Sequence, residues 1–277
     1  MIYMADWAFI NDQFFPEDKA MLHFRDLAIQ RGYGVFDFLR FARGEPVFIE
    51  DHLQRFYFSA SRMHLPIRFR MEELKEIIKS LIKKNKDKEG GIRLTLTGGY
   101  SPDGYQLALP NLIISQHNFV APSPEQVNSG IRLITHPFQR QFPEAKTIDY
   151  AMAIWLQPML KQKGADDIIY HHDEKITECP RSNFFMITED QKLVTPEHNI
   201  LKGITRMKVL ELAAEEFETE ERTVTLRELN NIREAFITST TKGVLPVTRI
   251  NQKMLPYGPV TKRLRDIVGK ETEKAFR

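Results

Sequence analysis

Four short stretches hold residue types and spacings suited to covalent or anion chemistry. In FPEAKTIDYAMAIW, Lys146 stands just before a largely apolar segment. Desolvation there lowers an amine's pKa and makes it a Schiff-base nucleophile; the alternative is a solvated loop lysine. Tyr150 follows four residues later, one turn away if a helix starts early. In LKGITR, Gly203 precedes a well-patterned helix, so the amides of Ile204 and Thr205 would point out of its start toward an anion such as phosphate. A plain helix start with Thr205 near its cap has the same pattern. ITSTTKG places Thr238, Ser239, Thr240 and Thr241 after an apolar strand, where they cluster donors on an anion or simply end the strand. In ITECPRSNFF, Glu178, Cys179, Arg181, Ser182 and Asn183 crowd the mouth of a strand. A surface turn explains that polarity but not a large cation among groups suited to a binding site.

These stretches need elements to position them. WAFINDQFF reads as a hairpin turning at Asn11 and Asp12, and GVFDFLRFARGEPVFI as a second turning at Arg43, Gly44 and Glu45. Leu53, Phe56, Ala60 and Met63 recur at helical spacing, as do Leu74, Ile77, Ile78, Leu81 and Ile82. Strands follow at IRLTLTGG and NLIISQHNF. VAPSPEQVNSG, with two prolines and no apolar period, reads as a linker within residues 121–130, between a domain at 1–120 and another at 131–277. Beyond it come a strand at IRLITHPF, a largely helical TIDYAMAIWLQPMLKQKG despite Pro158, a run of short strands turning at His172, Asp173 and Glu174, the helix ITRMKVLELAAEEF, and a last strand pair in REAFITSTTKGVLPVTRI. The class is α+β in two parts.

Composition narrows the function classes. The 277 residues suffice for a substantial core. With 39 basic and 37 acidic residues, the net charge of +2 gives no reason to expect nucleic acid or an anionic membrane as partner. One cysteine excludes an intrachain disulfide framework and a multi-thiolate zinc cage, and fits a reducing compartment. Cys179 has no evident histidine partner and reads as a small packed residue; His171 and His172 lie at a turn without matched ligands, so no metal site is expected. Early acids and the lack of a basic n-region argue against a signal peptide, and no apolar run is long enough to span a bilayer, so a cytoplasmic protein is expected.

Taken in order, RGYGVFDFLR, DHLQRFYFSA, AKTIDY, ITECPRSNFF, LKGITRMKVLELA and FITSTTKGVLPV resemble the class IV aminotransferases, the pyridoxal-phosphate enzymes of fold type IV. The resemblance runs over about residues 31–247. It implies a small N-terminal α/β domain and a larger cofactor-binding domain with a β pseudo-barrel. It implies that Lys146 binds pyridoxal phosphate covalently and moves the substrate Cα proton, that Glu178 holds a proton on the pyridine nitrogen, and that Tyr150 hydrogen-bonds the phenolic oxygen. Arg55, the amides of Ile204 and Thr205, and Ser239, Thr240 and Thr241 would hold the phosphate. Members are homodimers with active sites near the subunit interface, and this is carried over with the rest.

Substrate choice falls to the carboxylate clamp. Well-studied D-amino-acid aminotransferases resemble the chain at LKGITR and TSTT, but carry an Arg-x-His pair where this chain has TGGYSPDGYQ, and a tyrosine where it has Phe36. A less familiar group of D-amino-acid aminotransferases is similar in placing arginines at the positions of Arg31, Arg93 and Arg181. With Phe36 and Ser182 these are the candidate substrate contacts. Several cations suit 2-oxoglutarate as acceptor and D-glutamate or D-alanine as donor. The alternatives are a branched-chain L-amino-acid aminotransferase, which shares Phe36 and the arginine at 93, an aminodeoxychorismate lyase, and a cofactor-free binding homologue. The presence of Lys146, Glu178 and Arg55 disfavours the last.

Overall fold

Alternating apolar residues build the first sheet. In β3 (Gly34–Ala42), Val35, Leu39 and Phe41 are fully buried on one face, while Phe36, Phe38 and Arg40 project from the other. The computed structural model describes residues 6–275. Its first unit takes in the chain up to Phe119 together with Ala145–Asp149. The elements are β1 (Trp7–Ile10), β2 (Gln13–Pro16), α1 (Leu27–Arg31), β3, β4 (Glu45–Pro46), α2 (Ile49–Arg62), α3 (Met71–Asn85), β5 (Glu89–Thr97) and β6 (Leu112–His117). The strands form one antiparallel sheet in the order β2-β1-β6-β5-β3-β4. Both hairpins turn where the sequence places them, with Asn11, Arg43 and Gly44 at positive φ.

Helices α2 and α3 cover one face. Leu53, Phe56, Ala60, Leu74, Ile78, Leu81 and Ile82 pack on Val35, Leu39, Ile92, Leu94 and Ile114 in a single core. Acids lie in the first turn of each helix and Lys83 and Lys84 in the last turn of α3, as the dipole favours. Gly90 and Gly91 admit a ring on each face of β5: a Cβ would stand 2.6 Å from Phe41 Cε1 at Gly90 and 2.0 Å from Phe38 Cζ at Gly91.

The second unit comprises Val120–Glu144 and Tyr150–Lys274. It contains α4 (Pro124–Ser129), β7 (Ile131–Pro137), α5 (Ala151–Trp155), α6 (Gln157–Lys163), β8 (Asp167–His172), β9 (Lys175–Ile176), β10 (Asn183–Thr188), β11 (Leu193–Pro196), α7 (Ile204–Ala213), β12 (Thr219–Arg222), β13 (Val224–Thr225), β14 (Ile232–Ser239), β15 (Gly243–Ile250), β16 (Lys253–Met254) and α8 (Pro259–Lys274). The strand order is β12-β11-β10-β14-β15-β7-β8-β9-β13, with β16 on β15. The end strands β12 and β13 are separated in sequence by Thr223 alone, so the chain steps from one edge of the sheet to the other across one residue. That nearly closes the sheet into a pseudo-barrel, the fold type IV arrangement.

Three local results differ from the sequence reading. The segment read as a linker folds as α4, capped by Ser123 Oγ, which accepts from Gln126 N at 3.2 Å. The stretch read as largely helical despite Pro158 is helical but broken in two, α5 and α6, meeting at Leu156; proline lacks the N–H and its ring clashes with the preceding turn. Helix α8 went unread because its charged residues obscure the apolar stripe, of which Leu264 and Val268 are buried.

Candidate active site

Lys146 is fixed through its backbone. Residues 145–149 run beside the first residues of β3: Phe36 N–H donates to Lys146 O at 2.9 Å, Ile148 N–H to Gly34 O at 3.0 Å, and Val35 and Thr147 form an antiparallel bridge. Lys146 N–H donates to the buried Ser59 Oγ of α2 at 3.0 Å. Ala145 is buried in the helix-side core, so strand alternation turns Lys146 to the opposite face. There its Nζ lies 4.4 Å from the Phe36 ring centroid. Arg93 lies on the same ring, with Cζ 4.0 Å from the centroid. A cation-bearing aromatic face therefore joins the amine to the guanidinium.

On the helix side of β3, Asp37 is fully buried and ties down α2. Arg55 donates from Nε to Oδ2 and from a terminal nitrogen to Oδ1, both at 2.8 Å. His52 Nδ1 lies 2.7 Å from Oδ1, and Phe38 N–H donates to Oδ1 at 2.8 Å. Burial alone would raise the Asp37 pKa, but Arg55 and His52 outweigh it and hold the carboxyl well below its usual range. Burial lowers the His52 pKa, and the charges of Arg55 and Lys146 add to that against the pull of Asp37. The neutral imidazole thus donates to Asp37 from Nδ1. Arg55, read from sequence as a phosphate ligand, is gripped bidentately by Asp37, and the other edge of its fork is the one suited to an anion.

In the second unit Glu178 is 5% exposed and both its oxygens accept hydrogen bonds. Arg140 Nε donates to Oε1 at 2.8 Å, and Leu201 N–H to Oε2 at 3.0 Å. Asn183 Nδ2 donates to Leu201 O at 2.7 Å, which fixes the segment leading into α7. Gly203 is the N-cap of that ten-residue helix and has no side chain to satisfy the first amides. A Cβ there would sit 2.1 Å from Asn183 Oδ1, so any larger residue has to push the Asn183 amide aside for the helix start to lie against β10. Ser239, Thr240 and Thr241 form the β14–β15 hairpin, where Ser239 Oγ lies 3.3 Å from Thr241 Oγ1 and accepts from Lys242 N–H at 3.2 Å. Lys242 Nζ donates to the buried Asp167 at 2.8 Å and to Ser182 Oγ at 3.1 Å, tying the hairpin to the turn after Glu178.

The class IV amino-transferase family matches residues 34–250. The chain belongs to that family. Among curated proteins it is similar to the D-alanine aminotransferase of Bacillus licheniformis, at 30% identity over 92% of this chain and 93% of that one. It is also similar to that of Staphylococcus haemolyticus, at 27% over 96% and 97%. Among solved structures it resembles a T.th. branched-chain amino acid aminotransferase with pyridoxamine 5′-phosphate. That likeness has a TM-score of 0.89 and 26% identity, covering 99% of this chain and 95% of that one. The Escherichia coli branched-chain amino acid aminotransferase gives 0.88 and 25%, over 95% and 93%.

As a class IV aminotransferase the chain uses pyridoxal phosphate. Each unit holds groups of the kinds such a molecule takes: a backbone-pinned lysine in the first, and a buried carboxylate, an amide-bearing helix start and a hydroxyl hairpin in the second. Other expected contacts lie as follows. Tyr150 immediately precedes α5 and is half-buried. Arg181 is exposed at the tip of the two-residue turn closed by the Cys179–Ser182 bridge. Arg31 ends α1, is exposed, and donates to Gln30 O at 3.0 Å. The loop at residues 97–106 is anchored by buried Asp26, which accepts from Thr97 Oγ1 at 2.8 Å and Asn111 Nδ2 at 2.7 Å. Arg93 lies on the same ring as Lys146.

Sequence reading missed Asp37, His52, Arg140 and Lys242. Asp37 carried a signal, since an acid amid the apolar residues of a central strand needs a partner. Arg140, 38 positions from Glu178, carried none. Cys179 is buried, and burial pushes its thiol pKa well up, as suits a packed residue.

Proposed function

We propose that this aminotransferase moves the amino group of D-amino acids, such as D-alanine and D-glutamate, to a 2-oxo acid such as 2-oxoglutarate in ping-pong half-reactions. One observation carries the acidic acceptor: Arg93 and Lys146 share the Phe36 ring, so a substrate reacting at the amine meets a guanidinium at hand for a carboxylate. The D-amino donor is supported by whole-length similarity to D-alanine aminotransferases. The loop at residues 97–106 lacks an Arg-x-His pair, so the substrate contacts in this reading are Arg31, Phe36 and Arg93 of the first unit and Arg181 and Ser182 of the second. The branched-chain reading is favoured by the solved structures, one of them holding N-(5′-phosphopyridoxyl)-L-glutamate.

When bound, pyridoxal phosphate supplies the electron sink for a Cα carbanion. Lys146 Nζ would hold the cofactor through its aldehyde carbon and, once a substrate amine had displaced it, would serve as the base and acid that moves the substrate Cα proton. Glu178 keeps a proton on the ring nitrogen, and Arg140 and Leu201 N–H orient its carboxylate while leaving lone pairs for that contact. Tyr150 donates to the phenolic oxygen. Arg55, Ile204, Thr205, Ser239, Thr240 and Thr241 would hold the phosphate. A homodimer is the assembly in this reading.

Single half-reactions test it: D-alanine and D-glutamate should bleach the visible band of the holoenzyme faster than L-leucine. Faster bleaching by L-leucine makes the enzyme a branched-chain aminotransferase, and acceptor-free pyruvate release from aminodeoxychorismate makes it a lyase. Arg181→Ser should raise KM for 2-oxoglutarate more than it lowers kcat; an unchanged KM returns Arg181 to a surface role.

A further inference from the structure

The face of the first sheet that bears Phe36 carries two more polar residues that no motif or proposed role uses. In the β5–β6 register Ser115 lies opposite Arg93, and His117 opposite Gly91. Opposed residues and their i+2 neighbours project to one face, so Arg93, Thr95, Ser115 and His117 stand together on it. Ser115 Oγ and His117 Nε2 are 2.8 Å apart. Arg93 Nε donates to Thr95 Oγ1 at 3.3 Å, which leans its guanidinium over Phe36 toward the Lys146 amine. Because Gly91 has no side chain, the Phe38 ring lies over it and walls the same row. Moving across β3, β5 and β6, the face presents amine and ring, then guanidinium, then hydroxyl and imidazole. We propose that Ser115 and His117 are specificity-determining residues, which with Arg93 form a subsite for the second carboxylate of dicarboxylic amino and 2-oxo acids.

This rests on the reading of Arg93 as a carboxylate contact and extends it by two residues. The charged groups facing His117 are Arg93 from β5, Glu17 just after β2, and Arg40 of β3, which pairs with Gly91 in the same row. Desolvation and the charge of Arg93 lower the His117 pKa, while Glu17 opposes them. A carboxylate between Arg93 and His117 offsets that repulsion, so binding draws a proton onto the imidazole. The Nε2–H then donates to Ser115 Oγ, and the serine hydrogen turns to the ligand. Dicarboxylates should therefore gain over monocarboxylates as pH falls.

The test compares glutarate with butyrate, both unreactive, binding to the holoenzyme by calorimetry between about pH 5.5 and 8. In the unsubstituted enzyme the preference for glutarate should rise as pH falls. His117→Gln should lower that preference about tenfold at the acid end and flatten its pH dependence. Ser115→Ala should lower it severalfold, and His117→Arg should restore it at every pH. Equal losses for glutarate and butyrate, or an unmoved preference in both His117→Gln and Ser115→Ala, overturn the proposal. Arg93→Ala separates the two levels. If it abolishes the preference and His117→Gln does not, this inference fails alone; if Arg93→Ala leaves it unmoved, the reading of Arg93 fails with it.

Discussion

Asp37 holds three partners in a buried space, and its substitution shows how much a single residue can carry. Asp37→Asn leaves Arg55 without its counter-charge in a site where the arginine side chain is 10% exposed. A loss of about 3–5 kcal/mol in a urea titration is expected. The same cluster sets the acid limit of stability. The folded His52 pKa lies below its ordinary value, so the unfolded chain takes up that proton first and stability falls as pH drops below about 6.5. The folded Asp37 pKa is also depressed, so its contribution is complete above about pH 4 and is lost as pH falls through the folded value. Urea midpoints against pH should show both steps, and His52→Gln should remove the upper one alone. At the reacting centre, Lys146→Ala should abolish the visible band of covalently held cofactor and cut turnover roughly 10²–10⁴-fold. A retained band would return Lys146 to a structural role.

Two glycines show what elements demand of one another. The φ of −70° at Gly203 suits any residue, so its need is steric: a Cβ would run into Asn183 Oδ1. Gly203→Ala should cost about 1–3 kcal/mol and weaken pyridoxal phosphate binding, because the amides of α7 shift with the helix start. Gly203→Ala in an Asn183→Ala background should recover part of the stability, read from Tm, since the clash is gone. Gly91→Ala pushes on the Phe38 ring and should cost a similar amount. The helices α2, α3 and α7 and both N-terminal hairpins were legible because their apolar spacing or turn residues act locally. Neither α4 nor the break at Leu156 was, since a capping box within a proline-rich stretch and a proline inside an apolar one give conflicting local signals.

For the molecule as a whole, the cofactor binds the native state and not the unfolded chain. Pyridoxal phosphate at about 100 times its Kd should stabilise by about 2.7 kcal/mol. That amounts to an increase in Tm of about 5–10 °C over the stripped protein. Lys146→Ala should shrink the increase by removing the covalent bond. Sedimentation of the holoenzyme should give a dimer mass if the proposed assembly is right; a monomer mass would sink it.

The amino-acid sequence by itself determined the family and its cofactor, through six motifs in order, among them AKTIDY, ITECPRSNFF and LKGITRMKVLELA. Each of these signals sits within a few residues of chain. Tertiary structure decided what those residues touch. It set Arg140 on Glu178, Asp37 on Arg55 and His52, and Arg93 on the ring beneath Lys146. It also nearly closed the second sheet across Thr223. The physical reason is common to all: a buried charge must find its partner wherever strand register and packing place one, and nothing in local sequence encodes that distance.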